Sequence, residues 1–255
     1  MTQIGFGIDV SHWQNPDTLS WETFRGKVDF VIARACYGAK PDDRCVEHIR
    51  RARAIGAKVG VYVFFRPSES VEAQHKALVS VMLAAGIGPG DIRPAIDIEA
   101  DTYPALQAVT PAWSAPTQAL AESLTPLWGK PIVYQTHREW IEMGSPAWTL
   151  ECPLWVAHYV DHAPATPGNM PATIHQHRVG PFDPSGPGGS FATGNPQLDQ
   201  NRLLLPLPLI VAQDLTDEDV ARIKGSVALT TEQSADEALH PEEFPLRDTE
   251  PSGVA

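Results

Sequence analysis

Residues 94–100 read PAIDIEA, two acids one residue apart inside an otherwise apolar stretch. A β-strand alternates its side chains between two faces, so Asp97 and Glu99 share a face with Ala95 while Ile96 and Ile98 take the other. The isoleucines can enter a core; the acids must line something else. Two like charges on one face repel, which raises the pKa of at least one of them. A carboxylic acid held protonated near neutrality is what general acid catalysis requires. A divalent cation could also be held by such a pair, through hard carboxylate oxygens. The catalytic reading is preferred, and no metal or cofactor is expected.

Working outward, strand-like runs recur at 4–10 (IGFGIDV), 30–36 (FVIARAC), 58–65 (KVGVYVFF), 93–99 (RPAIDIE), 130–136 (KPIVYQT), 154–160 (LWVAHYV) and 172–178 (ATIHQHR), with a short one near QLDQN at 197–201. Helical patterns fill 43–56, 69–85, 116–128 and 137–143, and close at Gly56, Gly86, Gly129 and Gly144. Strands separated by helices predict βαβ units and a parallel sheet. FVIARAC and VGVYVFF are nearly continuous in apolar residues, as strands covered on both faces should be. Eight strands favour a closed α/β barrel over an open sheet. The second half departs from that regularity, because 160–172 and 179–196 are Pro-, Gly- and Ser-rich loops without helical crossovers.

A chain of 255 residues with 43% apolar content can bury one large core. Its net charge of −12 is uneven: residues 214–255 hold 11 acids and 3 bases, against 20 and 16 in residues 1–213. The expected division is therefore a barrel over 1–213 and an acidic extension over 214–255. A short helix should open at Thr216, followed by a flexible tail or linker. The one basic cluster, Arg50, Arg51 and Arg53, lies on a predicted helix beside Glu47 and reads as a solvated face, so nucleic acid is not an expected partner. No stretch predicts membrane insertion or a secretory signal. Cys36, Cys45 and Cys152 cannot all pair and lack metal-ligand spacing, which predicts reduced thiols in a protein made in a cytoplasm.

Catalytic groups of parallel barrels gather at the C-terminal ends of the strands. Asp9 lies near the end of the first strand, Asp97 and Glu99 end the fourth, and Asp199 lies on the last, sharing a face with Asn201. Closure makes the first and eighth strands neighbours, so the four carboxylates should meet at one mouth. Taken alone, each acid could equally cap a helix or pair with a buried Arg such as Arg34. Aromatics accompany the acids at Trp13, Tyr62, Phe64, Tyr134, Trp155 and Tyr159. Such faces stack on sugar rings, although an aromatic in a strand is by default core packing.

Six stretches in order, GIDVSHWQ, VGVYVFF, AIDIEA, PIVYQT, PLWVAHY and LDQN, resemble glycoside hydrolase family 25, the N-acetylmuramidases or lysozymes. The likeness spans roughly residues 4–205. It implies an irregular TIM-like barrel of the (β/α)5β3 type and hydrolysis of the β-1,4 bond between N-acetylmuramic acid and N-acetylglucosamine in bacterial peptidoglycan. It further implies that Glu99 is the general acid and that Asp97 stabilises the oxocarbenium-like transition state or orients the 2-acetamido group. Asp9 and Asp199 would shape the acidic cleft. Tyr62, Phe64, Tyr134, Trp155, Tyr159, Gln176 and Asn201 would line the saccharide subsites. Retention of configuration, with the acetamido group as internal nucleophile, would be an exception to the two-carboxylate scheme. One departure is HQH at 175–177, where the family more often carries an aromatic. His175 and His177 are thus altered subsite residues or exposed strand-end residues, and His12 and His158 stand behind the site.

The resemblance also suggests a bacteriophage endolysin released by a holin, or a virion-associated hydrolase whose 214–255 segment contacts virion proteins. The rival readings are a catalytically silent glycan-binding protein and a virion structural component on the same fold.

Overall fold

The computed structural model describes residues 5–101, 107–180 and 198–212. The expected helix at Thr216, the acidic 214–255 segment and most of the 179–196 loop lie outside the described residues.

Nine strands are present: β1 (Gly5–Val10), β2 (Phe30–Tyr37), β3 (Lys40–Pro41), β4 (Lys58–Phe64), β5 (Ala95–Asp97), β6 (Ile132–Gln135), β7 (Leu154–Ala157), β8 (Ile174–Gly180) and β9 (Leu198–Leu203). Their order is β1-β9-β8-β7-β6-β5-β4-β2-β3, and a further β1–β2 pairing closes eight of them into a barrel, with β3 appended to β2 as a short antiparallel hairpin. From β1 through β8 neighbouring barrel strands are parallel. β9 runs antiparallel to both β8 and β1.

The helices are α1 (Trp21–Phe24), α2 (Cys45–Ala54), α3 (Val71–Ala84), α4 (Ser114–Trp128) and α5 (His137–Glu142). Local chemistry sets their ends. Ser70 caps α3 by accepting the Ala73 N–H at 3.1 Å, and Thr136 and Glu139 form a reciprocal capping box on α5. The basic trio is a solvated, paired face: Arg50 and Arg51 bond Glu47, and Arg53 bonds Asp91.

Strand alternation divides the apolar residues into two layers. Ile8, Val31, Val61, Ile96, Ile98 and Val133 face outward into the core shared with the helices. Phe30, Ile32, Tyr62, Ala95, Ile132, Trp155 and Ile174 fill the barrel interior. Two glycines make room for that filling. A Cβ on Gly7 would lie 2.4 Å from the Phe30 ring, and one on Gly60 would lie 2.8 Å from Ile92. The isoleucines of PAIDIEA therefore do pack into the wall, away from Asp97.

Two details differ from the strands expected. β5 ends at Asp97, so Glu99 stands beyond the ladder rather than inside it. The last strand is six residues long and reversed, which places Asp199 at its start; because the strand runs downward, that start is still at the mouth.

Candidate active site

Asp9 and Asp199 face each other as register partners across β1 and β9. Asp9 is the better supported. Its Oδ2 accepts from Asn201 Nδ2 at 2.7 Å and from Gln176 Nε2 at 3.0 Å. Both amides are oriented from behind. Trp155 Nε1 can only donate, and it bonds Asn201 Oδ1 at 2.7 Å, which turns the Asn201 NH2 toward Asp9. Tyr134 and Tyr159 hydroxyls bond Gln176 Oε1 at 2.9 and 3.2 Å, which turns the Gln176 NH2 the same way. Burial raises Asp9 to about 6, and the two amide bonds oppose that rise.

The opposite wall is built differently. Asp97 on β5 pairs in register with Phe64 and Tyr134 and is 6% exposed, yet its Oδ1 is buried without any hydrogen-bond partner. Burial pushes its pKa well above the carboxylate range, and the charges of Glu99, Glu139 and Asp9 push it further. Burial also raises Glu99, two residues on, to about 7, with Glu139, Asp9 and Asp101 adding repulsion. Asp199 rises to about 8 through burial and the charges of Asp9 and Glu99. The four acids expected at the mouth thus share one electrostatic field, and they cannot all ionise together at neutral pH. Among the described residues, no group of three or more His, Cys, Asp or Glu side chains is placed to hold a metal ion.

The residues expected to line subsites separate by depth. Trp155 is 1% exposed and meets Tyr134 and Tyr62 edge-to-face at 4.9 and 6.1 Å, forming a floor rather than a stacking face. Gln176 and Asn201 are buried, and their amides are committed to Asp9. Phe64 and Tyr62 are also nearly covered. The open aromatic surfaces are Tyr159 at 60% and Trp13 at 75% exposure, with Trp13 braced on the His12 ring at 4.2 Å.

His175 and His177 fit neither expected role. Gln176 points inward, so the alternation turns His175 to the outer face, where its Nε2 bonds the His158 carbonyl at 2.6 Å. A register shift between Gln176 and Arg178 leaves His177 on a bulge, packed edge-on to Phe6 at 6.5 Å. Arg34 pairs with Asp42 at 3.0 Å, so none of the four acids is its ion-pair partner. Another bulge, between Arg34 and Cys36 on β2, lets both Arg34 and Tyr37 reach the mouth.

Sequence reasoning missed Glu139. Its Oε2 accepts from the Thr136 N–H and hydroxyl at 2.9 and 2.7 Å, and its Oε1 accepts from the Ala100 N–H at 3.1 Å. Thr-x-x-Glu directly after a strand was the available signal, and it reads as a helix cap only. Tyr37 was missed as well; its hydroxyl donates to Asp101 Oδ2 at 2.5 Å.

A closed barrel whose mouth gathers four carboxyls, each raised by burial, has the layout of an enzyme that cleaves bonds by general acid catalysis, a carboxyl protonating the leaving group. The sequence model of the glycosyl hydrolases family 25 matches residues 8–180, and the chain belongs to that family. Solved structures agree on the fold. The family GH25 lysozyme from Aspergillus fumigatus superposes with a TM-score of 0.65 at 21% identity, over 82% of this chain and 99% of that one. The bacterial lysozyme from Streptomyces coelicolor gives 0.63 at 23% identity, over 82% and 96%. The modular autolysin LytC from Streptococcus pneumoniae, solved with a synthetic peptidoglycan ligand, gives 0.63 at 16% identity, over 78% and 46%. No curated protein matches the chain.

Proposed function

We infer that the chain is an N-acetylmuramidase that hydrolyses the β-1,4 bond between N-acetylmuramic acid and N-acetylglucosamine in bacterial peptidoglycan. One observation carries this reading: a carboxyl raised to about 7, Glu99, stands beside a buried acid, Asp97, whose Oδ1 has no partner. The first can deliver a proton near neutrality. The second is an acceptor short of a donor, and a sugar 2-acetamido N–H is such a donor.

In the reaction, the Glu99 proton passes to the glycosidic oxygen as the C1–O bond breaks. Asp97 accepts the acetamido N–H and aims the acetamido carbonyl oxygen at C1, where it forms the new bond. Water, deprotonated by the Glu99 carboxylate, then attacks C1, reopens the ring and restores the acid. The net change is addition of one water across the bond, with retention at C1. Burial and the surrounding like charges oppose the ionised Asp97 that a nucleophile needs, and Asp9 has two amides on one oxygen; both favour the substrate's own nucleophile. Tyr159 and Trp13 offer the open aromatic faces for neighbouring sugars.

The test is release of reducing ends from purified peptidoglycan, with mass spectrometry of the products. N-acetylmuramic acid at the new reducing end is expected; N-acetylglucosamine there, or no release from several wall types, overturns the reading. Glu99→Gln should lower kcat by about 10²–10⁴-fold while the thermal midpoint holds or rises. Undiminished turnover by that variant removes Glu99 from the role.

A further inference from the structure

Glu99 poses a positioning problem. β5 ends at Asp97, and the last ladder-like bond on that segment runs from the Ile98 N–H to the Tyr134 carbonyl at 2.9 Å. The side chain that must meet a glycosidic oxygen is therefore carried by backbone the sheet no longer holds. A catalytic group misplaced by about 1 Å can lose about 10²-fold in rate, so some other contact must fix it.

Glu139 supplies that contact. A capping-box glutamate ordinarily serves its own helix N-terminus. Here only Oε2 does so, on Thr136, while Oε1 reaches across to the Ala100 N–H, the peptide that immediately follows Glu99. Every bond Glu139 makes through its carboxyl is an accepted one. The far side of the same segment is held as well. Asp101 takes the Tyr37 hydroxyl and lies 3.6 Å from Arg66 Nε, and its backbone exchanges two bonds with Gln107 at 3.1 and 2.7 Å.

We propose that Glu139 is a positioning residue for Glu99: it ties the N-terminus of α5 to the segment bearing the acid and sets a fixed negative charge against that acid. The proposal rests on the role given to Glu99 above. The groups sharing the field with Glu99 are Asp9 on β1, Tyr62 on β4, Asp97 and Asp101 on its own segment, Tyr134 on β6, Tyr159 after β7, Asp199 on β9 and Glu139 on α5, with Arg34 of β2 acting on Asp97. After burial, Glu139 is the largest contributor that raises Glu99. Removing its charge lets Glu99 release its proton at lower pH.

The experiment is the pH profile of kcat/KM on peptidoglycan for the native chain, Glu139→Gln and Glu139→Asp. A glutamine has one acceptor oxygen, so it satisfies Thr136 or Ala100 and not both. The alkaline limb of Glu139→Gln should move acidward by about half to one pH unit, with kcat reduced several-fold and KM little changed. Glu139→Asp keeps the charge on a shorter stem. It should leave the limb in place while kcat falls, even if the glutamine variant folds poorly. A limb that stays put in Glu139→Gln overturns the proposal, as does one that moves equally in Glu139→Asp. An active Glu99→Gln variant would instead overturn the reading on which the proposal stands.

Discussion

The two walls of the barrel mouth solve opposite problems with the same side chain. On the β8–β9–β1 wall, Asp9 is buried among donors, each oriented by a further hydrogen bond running back to Trp155, Tyr134 and Tyr159. On the β5–α5 wall, Asp97 is buried at similar depth with an unpartnered oxygen, and like charges surround it. The carboxylate of the first wall already has its donors; the second wall leaves a buried acceptor open. Structural satisfaction and catalytic readiness are thus assigned to different sides of one opening.

The largest expected effect comes from making the same truncation on both walls. Asp9→Ala strands the Asn201 and Gln176 amides, at about 1–3 kcal/mol for each buried donor left without an acceptor, so unfolding in denaturant should show a loss of about 2–5 kcal/mol. Asp97→Ala removes an acid with one unpartnered oxygen among like charges, and should change stability by less than about 1 kcal/mol at pH 8, or raise it. Equal losses at the two positions would erase the distinction.

Next in size is the dependence on pH. Asp9, Glu99 and Asp199 titrate at about 6, 7 and 8 in the fold, above their unfolded values of 3.8, 4.5 and 3.8. A raised acid gives stability that is full below the unfolded value and is lost as pH climbs through the folded one. The thermal midpoint should therefore fall steadily from pH 4 to 8. Asp97→Asn should flatten the decline by weakening the shared field, and a midpoint that rises over this window would contradict the like-charge wall. The smallest effect is expected from Trp155→Phe. It keeps the aromatic floor but frees Asn201 Oδ1, and should cost about 1 kcal/mol and a few-fold in kcat. No change in either would show that Asn201 holds its orientation without Trp155.

The β5–α5 wall was partly legible in the sequence. Period-two alternation in AIDIE separates the acids from the isoleucines, and glycines mark where α2, α3, α4 and α5 stop. Closure of eight strands into a barrel brought four acids together, and the likeness to the family gave them roles. Depth along a strand was not legible. Trp155, Gln176 and Asn201 carry the chemistry of sugar contacts, yet they are buried and bonded to one another or to Asp9, and no periodicity encodes how far a side chain lies from the opening. The direction of β9 was hidden too, because strand direction follows from the connection, and a Pro- and Gly-rich connection constrains nothing. HQH misled for a related reason: alternation turns only its middle residue inward, and a bulge after Gln176 leaves His177 against Phe6. Glu139 was hidden by its own sufficiency as a helix cap, since half of its function is a contact 39 residues away.

The closing pair of strands also bears on how the enzyme is born. The bond between Asn201 and Asp9 spans 192 residues, and Gly5 pairs with Leu203. A ribosome delivers β1 first and β9 last, at about 5–20 residues per second, so Asp9 must wait roughly 10–40 s for the donors that define its wall. Until the final strand zips against the first, a nascent chain has a sheet but no mouth.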